Sequence, residues 1–141
     1  MRAELISAIR QGDFRVRLAA VLGLGASLPE DAPMPPDLGE VFVAACSDAE
    51  EGVRAFAALA LAEKGDRRGF DTLVSALSAD NGEIVGAGIV GLKKLGDPAA
   101  LPAIRARLDA ESDKTSEIAR ELVHARNDLK SQEKKLAKQA G

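Results

Sequence analysis

The chain has 141 residues, 46% of them hydrophobic and 3% aromatic, so its length suits one domain whose core is built from Ala, Leu, Val and Ile. A net charge of −3 argues against nucleic acid as the partner, and a single cysteine excludes an internal disulfide framework. The sequence has no signal-peptide pattern and no apolar run near the ~18 residues that span a bilayer, so we expect a cytoplasmic protein without a membrane span.

Three segments of the chain repeat one pattern of small and aliphatic residues, at 16–24, 53–61 and 84–92. The first two begin 37 residues apart and the last two 31 residues apart, a spacing typical of helical repeats. In the second segment the apolar positions recur at intervals of three and four, as on one face of an amphipathic helix. Each segment therefore predicts the first helix of a repeat unit.

A second helix follows in each predicted unit. In the second unit Gly65 ends the first helix, and Phe70, Leu73 and Leu77 mark one face of the next. Equivalent features return 31 residues later. We therefore expect a repeat solenoid in residues 1–112, followed by a C-terminal helix with a basic polar tail. The predicted boundaries are 1–12 for a half unit, about 13–48, 49–80 and 81–109 for three units, and 113–141 for the C-terminal segment.

The loop between the two helices of the first unit is lengthened and contains four prolines. We expect it to be an exposed docking element that presents Leu28, Glu30, Asp31 and Met34. Residues 27–53 contain seven acids and no lysine or arginine, so a basic protein would be attracted to this end of the chain. The alternative is a solvated loop with ordinary helix caps.

The third unit carries the pattern Gly-x-Gly-x-x-Gly at Gly86, Gly88 and Gly91, which also occurs in dinucleotide-binding turns. Such a turn follows a strand and precedes a second strand, whereas here polar turn residues come before it and two prolines come after it. The 31-residue register predicts a helix instead, and no cofactor. Each helix glycine is unfavourable by roughly 1 kcal/mol relative to alanine, so we expect a neighbouring helix or a partner backbone to approach closely.

Groups for catalysis or metal binding are scarce. His124 is the only histidine and is expected on a helix surface, and Cys46 is expected as a small hydrophobe on the inner face of a helix. No Ser/His/Asp set and no His/Cys cluster can be assembled from the sequence. We therefore predict neither a catalytic site nor a metal site.

The C-terminal segment predicts a helix with a seam of apolar residues at steps of three and four, which includes Leu129 and Leu136, and a basic far half. Three arrangements are open: the helix covers the last unit, it forms a coiled coil with itself or a partner, or its tail is frayed. Leu129 and Leu136 are candidate partner contacts, and we expect a monomer or weak self-association through this helix.

The repeated residues resemble a known family. Residues 13–20, with the pattern Asp-x-x-Val-Arg-x-x-Ala, and residues 96–104, with Gly-Asp-Pro-x-x-Leu-Pro-x-Ile, are similar to the short HEAT-like repeats first recognised in phycobilisome lyases. The resemblance covers roughly residues 1–109 and implies an all-α, right-handed solenoid of antiparallel helix pairs, HEAT-like and armadillo-like.

The resemblance also places Arg17 and Arg54 at the family's repeated arginine. Each is expected to pair with an acid one turn earlier, Asp13 or Glu50, or with an acid of the next unit. Val85 stands at this position in the third unit, which predicts a changed stacking contact.

These features predict a non-catalytic adaptor that binds another protein. We expect the second helices to line the concave side, where Asp71, Ser75, Arg105 and Arg107 lie off the apolar stripes and are candidate contacts. One alternative, implied by the resemblance, is a lyase-like subunit that holds a bilin in the concave groove. Another is weak nucleic-acid binding by Arg105, Arg107 and the lysine-rich tail.

Overall fold

A computed structural model describes residues 2–140, and these residues form eight α-helices and no β-strand. The helices are α1 (Arg2–Gln11), α2 (Phe14–Ala26), α3 (Pro36–Ala45), α4 (Glu51–Glu63), α5 (Phe70–Ala76), α6 (Gly82–Leu95), α7 (Leu101–Ala110) and α8 (Glu117–Ala140). Short 3-10 turns at Arg67–Gly69 and Pro98–Ala100 lead into α5 and α7. The predicted helix pairs α2/α3, α4/α5 and α6/α7 are therefore present, with α1 before them and α8 after them.

The first helices of the units, α2, α4 and α6, form one layer and pack on each other along the stack. The second helices, α3, α5 and α7, make few or no contacts with one another. A stack of helices is shorter on the layer where neighbours approach more closely, so it curves toward the first helices. The expectation that the second helices line the concave side is therefore wrong, because their wider spacing makes them the outer layer.

The core runs through the stack in two large clusters that meet at α4, with a small third cluster of Ala55, Ala76 and Ala87 beside them. Ala57 and Leu61 of α4 pack with α2 and α3, whereas Ala58 and Ala62 pack with α5, α6 and α8. Seven of the 13 residues of α4 are buried, and five of those seven are alanine. Small side chains suit this position because α4 has neighbours on nearly every side.

The helix ends follow the local chemistry of the sequence. Asp13 and Asn81 accept hydrogen bonds from the first amides of α2 and α6, and Gly96 ends α6 with a left-handed φ of 63°. The spacing of Asp48 to Glu51 suggests that Asp48 is the N-cap of α4. In the structure the cap position is Glu50 instead, and the Glu50 side chain makes no cap hydrogen bond. The Asp48 carboxylate accepts hydrogen bonds from Arg17.

The last helix closes the open end of the third unit. The first part of α8 packs across α6 and α7, and it buries Ala119, Leu122, Ala125 and Leu129 in the core. The expectation that Leu129 contacts a partner is therefore wrong, because this side chain is 1% exposed. The second half is exposed from Glu133 to Ala140. None of the helices within residues 2–140 is both long enough and apolar enough to cross a membrane.

Candidate functional site

An apolar ladder lies on the surface of the first-helix layer. Leu22, Leu59 and Val90 occupy the same repeat position, since they are 37 and 31 residues apart. Leu22 is 46% exposed, Val90 is 41% exposed and Leu59 is half-buried. The outward face of a surface helix is ordinarily polar, so a large apolar residue there in all three units is unexpected. This ladder is not among the features predicted above, although the repeat spacing carries the signal for it.

A groove of about 220 Å³ opens beside the ladder between α2 and α4. Leu22, Phe56 and Leu59 form much of its apolar wall, and Glu63 lies at its edge. The two helices approach closely because Gly25 faces Ala60, where an added Cβ would lie 3.6 Å from the alanine Cβ. The groove is thus a consequence of small residues at the helix contact and large residues beside it.

The residues that lie four positions after each ladder residue form a second row, and their charge differs from unit to unit. The equivalent positions are Ala26 in α2, Glu63 in α4 and Lys94 in α6, so the row passes from neutral to negative to positive. Lys93 and Lys94 border a shallow groove of about 300 Å³ next to Val90. The ladder is therefore an apolar strip with one acidic and one basic neighbour.

Arg17 connects the first unit to the second. Its guanidinium donates to both carboxylate oxygens of Asp48, at 2.8 and 3.0 Å, and to the Gly12 carbonyl at 2.8 Å. Burial by itself would raise the pKa of Asp48, but the hydrogen bonds from Arg17 and from the Glu50 amide outweigh it and lower that pKa. Arg17 therefore pairs with an acid of the turn that leads into the second unit, and Asp13 instead caps α2.

The same contact is not repeated at the second junction. The residue 31 positions after Asp48 is Ala79, which is buried, so Arg54 has no equivalent carboxylate. Arg54 donates instead to the carbonyls of Asp48 and Ala49, at 2.8 and 3.2 Å, and its expected pairing with Glu50 is wrong. In the third unit Val85 is fully buried in the core, which is the changed contact that its sequence position predicts.

The three glycines of α6 have different surroundings. A Cβ on Gly88 would lie 2.8 Å from the Leu73 carbonyl oxygen, and one on Gly91 would lie 2.6 Å from a Leu73 methyl group. These two glycines allow α5 to approach α6, as predicted. Gly86 differs, since a Cβ there would meet nothing within 4 Å.

The four residues predicted as concave contacts lie on the outer, second-helix layer. Asp71 and Ser75 of α5 and Arg105 of α7 are exposed. Arg107 is half-buried and forms an ion pair with Glu111 at 3.4 Å, so its charge is partly neutralised within the chain.

The proline-rich loop is more firmly attached than the sequence suggests. Leu28 and Met34 are half-buried against the core, so they are not the exposed docking side chains that were expected. Glu30 and Asp31 are exposed, and the Lys64 ammonium donates to the carbonyls of Pro29 and Glu30. Part of the acidic surface is also neutralised inside the chain, because Arg68 pairs with Glu40 at 2.7 Å and Arg17 pairs with Asp48.

The remaining reactive side chains form no cluster. Cys46 is half-buried, and its burial raises the pKa of the thiol, which disfavours a reactive thiolate. His124 is exposed on α8. Within the part of the chain that the structure describes, no group of three or more His, Cys, Asp and Glu side chains is placed to hold a metal ion.

The chain is similar to a known family and to solved structures. A family model described as HEAT repeats matches residues 39–123. A chain from the structure of the complex of CpcE and CpcF of phycocyanin lyase from Nostoc sp. PCC7120 is similar, with a TM-score of 0.66 and 21% sequence identity, covering 89% of this chain and 53% of that one. This likeness confirms the expected all-α repeat fold, and the present chain spans about half the length of the matched one. No curated protein sequence matches the chain.

Proposed function

Because this chain belongs to the HEAT-repeat family, we propose that it is a non-catalytic adaptor in the cytoplasm, which binds another protein through its first-helix layer. The observation that carries this proposal is the apolar ladder of Leu22, Leu59 and Val90. Leu22 and Val90 keep more than two fifths of their surface exposed and contribute little to the core, so stability does not account for an apolar residue at these two positions. Binding of an apolar partner surface does account for it.

The geometry of the ladder favours an amphipathic helix as the bound segment. Adjacent helices of a packed layer are about 8–10 Å apart, and side chains seven residues apart on a helix are separated by about 10.5 Å. A partner helix that crosses α2, α4 and α6 therefore presents one apolar side chain to each rung. Its polar flank carries a basic residue toward Glu63 and an acidic residue toward Lys94, which fixes its direction.

Two further surfaces are proposed as secondary contacts. Asp71, Ser75 and Arg105 form an exposed polar set on the outer layer, with the half-buried Arg107 beside them. Glu30 and Asp31, above the half-buried Leu28 and Met34, supply negative charge for a basic region of the partner.

A comparative capture experiment tests the proposal. The double variant L22Q/V90Q removes two rungs, and the control F14Q/V16Q removes two side chains of similar exposure, 45% each, that lie outside the ladder. Both variants and the unmodified chain are used as bait in extracts of the native cells, with quantitative mass spectrometry. We expect at least one protein to be retained by the unmodified chain and the control but reduced about tenfold by L22Q/V90Q. Equal retention by all three baits contradicts the proposal.

A lyase-like subunit that holds a bilin is the second candidate. It is favoured by the structural likeness to a chain of the phycocyanin lyase complex. Aromatic side chains are suited to lie beside such a pigment, and Phe56 is the single aromatic side chain that lines the two grooves described on the first-helix layer. Titration of the protein with a free bilin separates the candidates, since a bound pigment shifts and sharpens its visible absorption, and an unchanged spectrum eliminates this function.

A further inference from the structure

An open cleft lies where α6 and α8 begin, and nothing within the described residues fills it. The α8 cleft, about 880 Å³, has apolar surface at Gly82, Gly86 and Ile118. Three glutamates line it, and none makes an ion pair or side-chain hydrogen bond among residues 2–140: Glu83, Glu117 and Glu121. The missing side chain of Gly86 leaves open space rather than room for a neighbour in the chain.

The far end of the same helix has the complementary features. Lys134, Lys135 and Lys138 are exposed and make no ion pair within the described part of the chain. Leu136 is 44% exposed, a large apolar side chain on an otherwise polar stretch. This end is thus apolar and basic, whereas the cleft is apolar and acidic.

The two ends cannot meet within one molecule. They belong to one continuous helix, in which Glu121 and Lys135 are separated by about 21 Å at 1.5 Å per residue. Only a second molecule can bring a basic end to an acidic cleft.

We propose that two copies of this chain associate through α8, antiparallel about a two-fold axis near Asn127, with Leu136 and Lys135 of each copy in the α8 cleft of the other. The midpoints of the two contacts lie one residue apart, about 1.5 Å along the helix. Ile118 and Leu136 are each nine residues from Asn127, and Glu121 and Lys135 are each seven residues from Asp128. The four contact residues also fall within about 100° of the helix circumference. A two-fold arrangement fills both clefts at once and leaves no open end.

The association is expected to be weak and dependent on salt. It joins two helix faces with one apolar anchor at each end, which is less than the roughly 1,200 Å² of a standard interface. Its charged contacts are solvent-exposed and are screened by added salt. Asp128 would face its own copy near the axis, but the Lys93 ammonium lies 3.8 Å from this carboxylate and offsets its charge. This proposal does not depend on the apolar ladder or on the adaptor function.

Charge reversal tests the proposed contact by sedimentation equilibrium over a range of concentrations at low and high salt. We expect a monomer–dimer equilibrium whose Kd rises at least tenfold at high salt. E117K/E121K and K135E/K138E are each expected to be monomeric. An equimolar mixture of the two is expected to dimerise, because both clefts then face an end of opposite charge. The control K130E also reverses a lysine charge on α8, but at a position about 140° round the helix from Lys135. It is expected to leave Kd unchanged.

The direction of the pair is tested with spin labels in the background C46A, at residue 127 or residue 139. In an antiparallel pair the two labels are separated along the helix axis by close to zero at 127 and by about 36 Å at 139, since each label at 139 is twelve residues from the two-fold axis, so the label-to-label distance is longer at 139. A monomeric mass at every concentration, a dimer that neither reversal weakens, or equal distances at the two positions overturns the proposal.

Discussion

Arg17 of α2 donates two hydrogen bonds of 2.8 and 3.0 Å to the Asp48 carboxylate, and these two residues join the first unit to the second. Their side chains are 20% and 11% exposed, so the pair is largely removed from water. Bidentate, charge-assisted bonds of this kind are the stronger hydrogen bonds in proteins. The contact therefore ties α2 to the turn that leads into α4, and it adds stability.

Removing either partner should destabilise the stack. We expect R17A to lower the free energy of unfolding by about 2 kcal/mol, because it leaves the Asp48 carboxylate with one hydrogen bond fewer at each oxygen. Urea unfolding followed by circular dichroism measures the change. R15A is the matched control, since Arg15 is exposed and its guanidinium lies over the ring of Phe14, 5.6 Å from the centroid, and we expect it to change stability by less than about 0.5 kcal/mol.

The same pair should make stability depend on pH. The folded-state pKa of Asp48 is lowered, so the unfolded chain takes up its proton first as the pH falls. The contribution of the pair is therefore complete above the unfolded value of about 4 and is lost as the pH drops through the lower, folded value. Urea unfolding between neutral and acidic pH checks this, and D48N should flatten the acid side of the profile. An identical slope for D48N and the unmodified chain would count against this assignment.

The same glycine-to-alanine substitution should have opposite effects on the free energy of unfolding at two positions of α6. G86A should raise the free energy of unfolding by about 0.5–1 kcal/mol, because alanine favours the helix and its Cβ meets nothing within 4 Å. G88A should lower it, because the new Cβ would lie 2.8 Å from the Leu73 carbonyl oxygen, which belongs to the backbone and cannot move aside cheaply. Both variants are compared by urea unfolding at a protein concentration low enough to exclude dimers. Equal shifts of the same sign would contradict this account.

The sequence pattern predicted most of the fold because repeat spacing and helix caps are local signals. Gly65 and Gly96 end their helices where the 31-residue register requires. The partner of Arg17 remained open, because choosing between Asp13 and a later acid requires the distance between units. The concave side was assigned wrongly for a related reason, since periodicity identifies a buried face but does not say which layer of helices is more closely spaced.

The apolar ladder should be dispensable for folding. We expect L22Q to change the free energy of unfolding by less than about 1 kcal/mol, because Leu22 keeps 46% of its surface exposed. L61A should cost about 2–5 kcal/mol, because Leu61 of α4 is fully buried. Thermal unfolding monitored by circular dichroism compares the two. If L22Q were as damaging as L61A, the ladder would belong to the core and would lose its value as a binding surface.

Two leucines of α8, seven residues apart on the same seam, should separate folding from association. Leu129 is 1% exposed and packs with the core of the third unit, so L129A should lower the free energy of unfolding by about 2–4 kcal/mol. Leu136 is 44% exposed, and L136A should leave unfolding of the dilute monomer unchanged within about 0.5 kcal/mol. Urea unfolding at low concentration measures both. At high concentration and low salt, L136A should raise the dimer Kd, because it removes the apolar anchor from both clefts. A loss of monomer stability in L136A would show that this side chain belongs to the fold, whereas an unchanged Kd would remove it from the proposed interface.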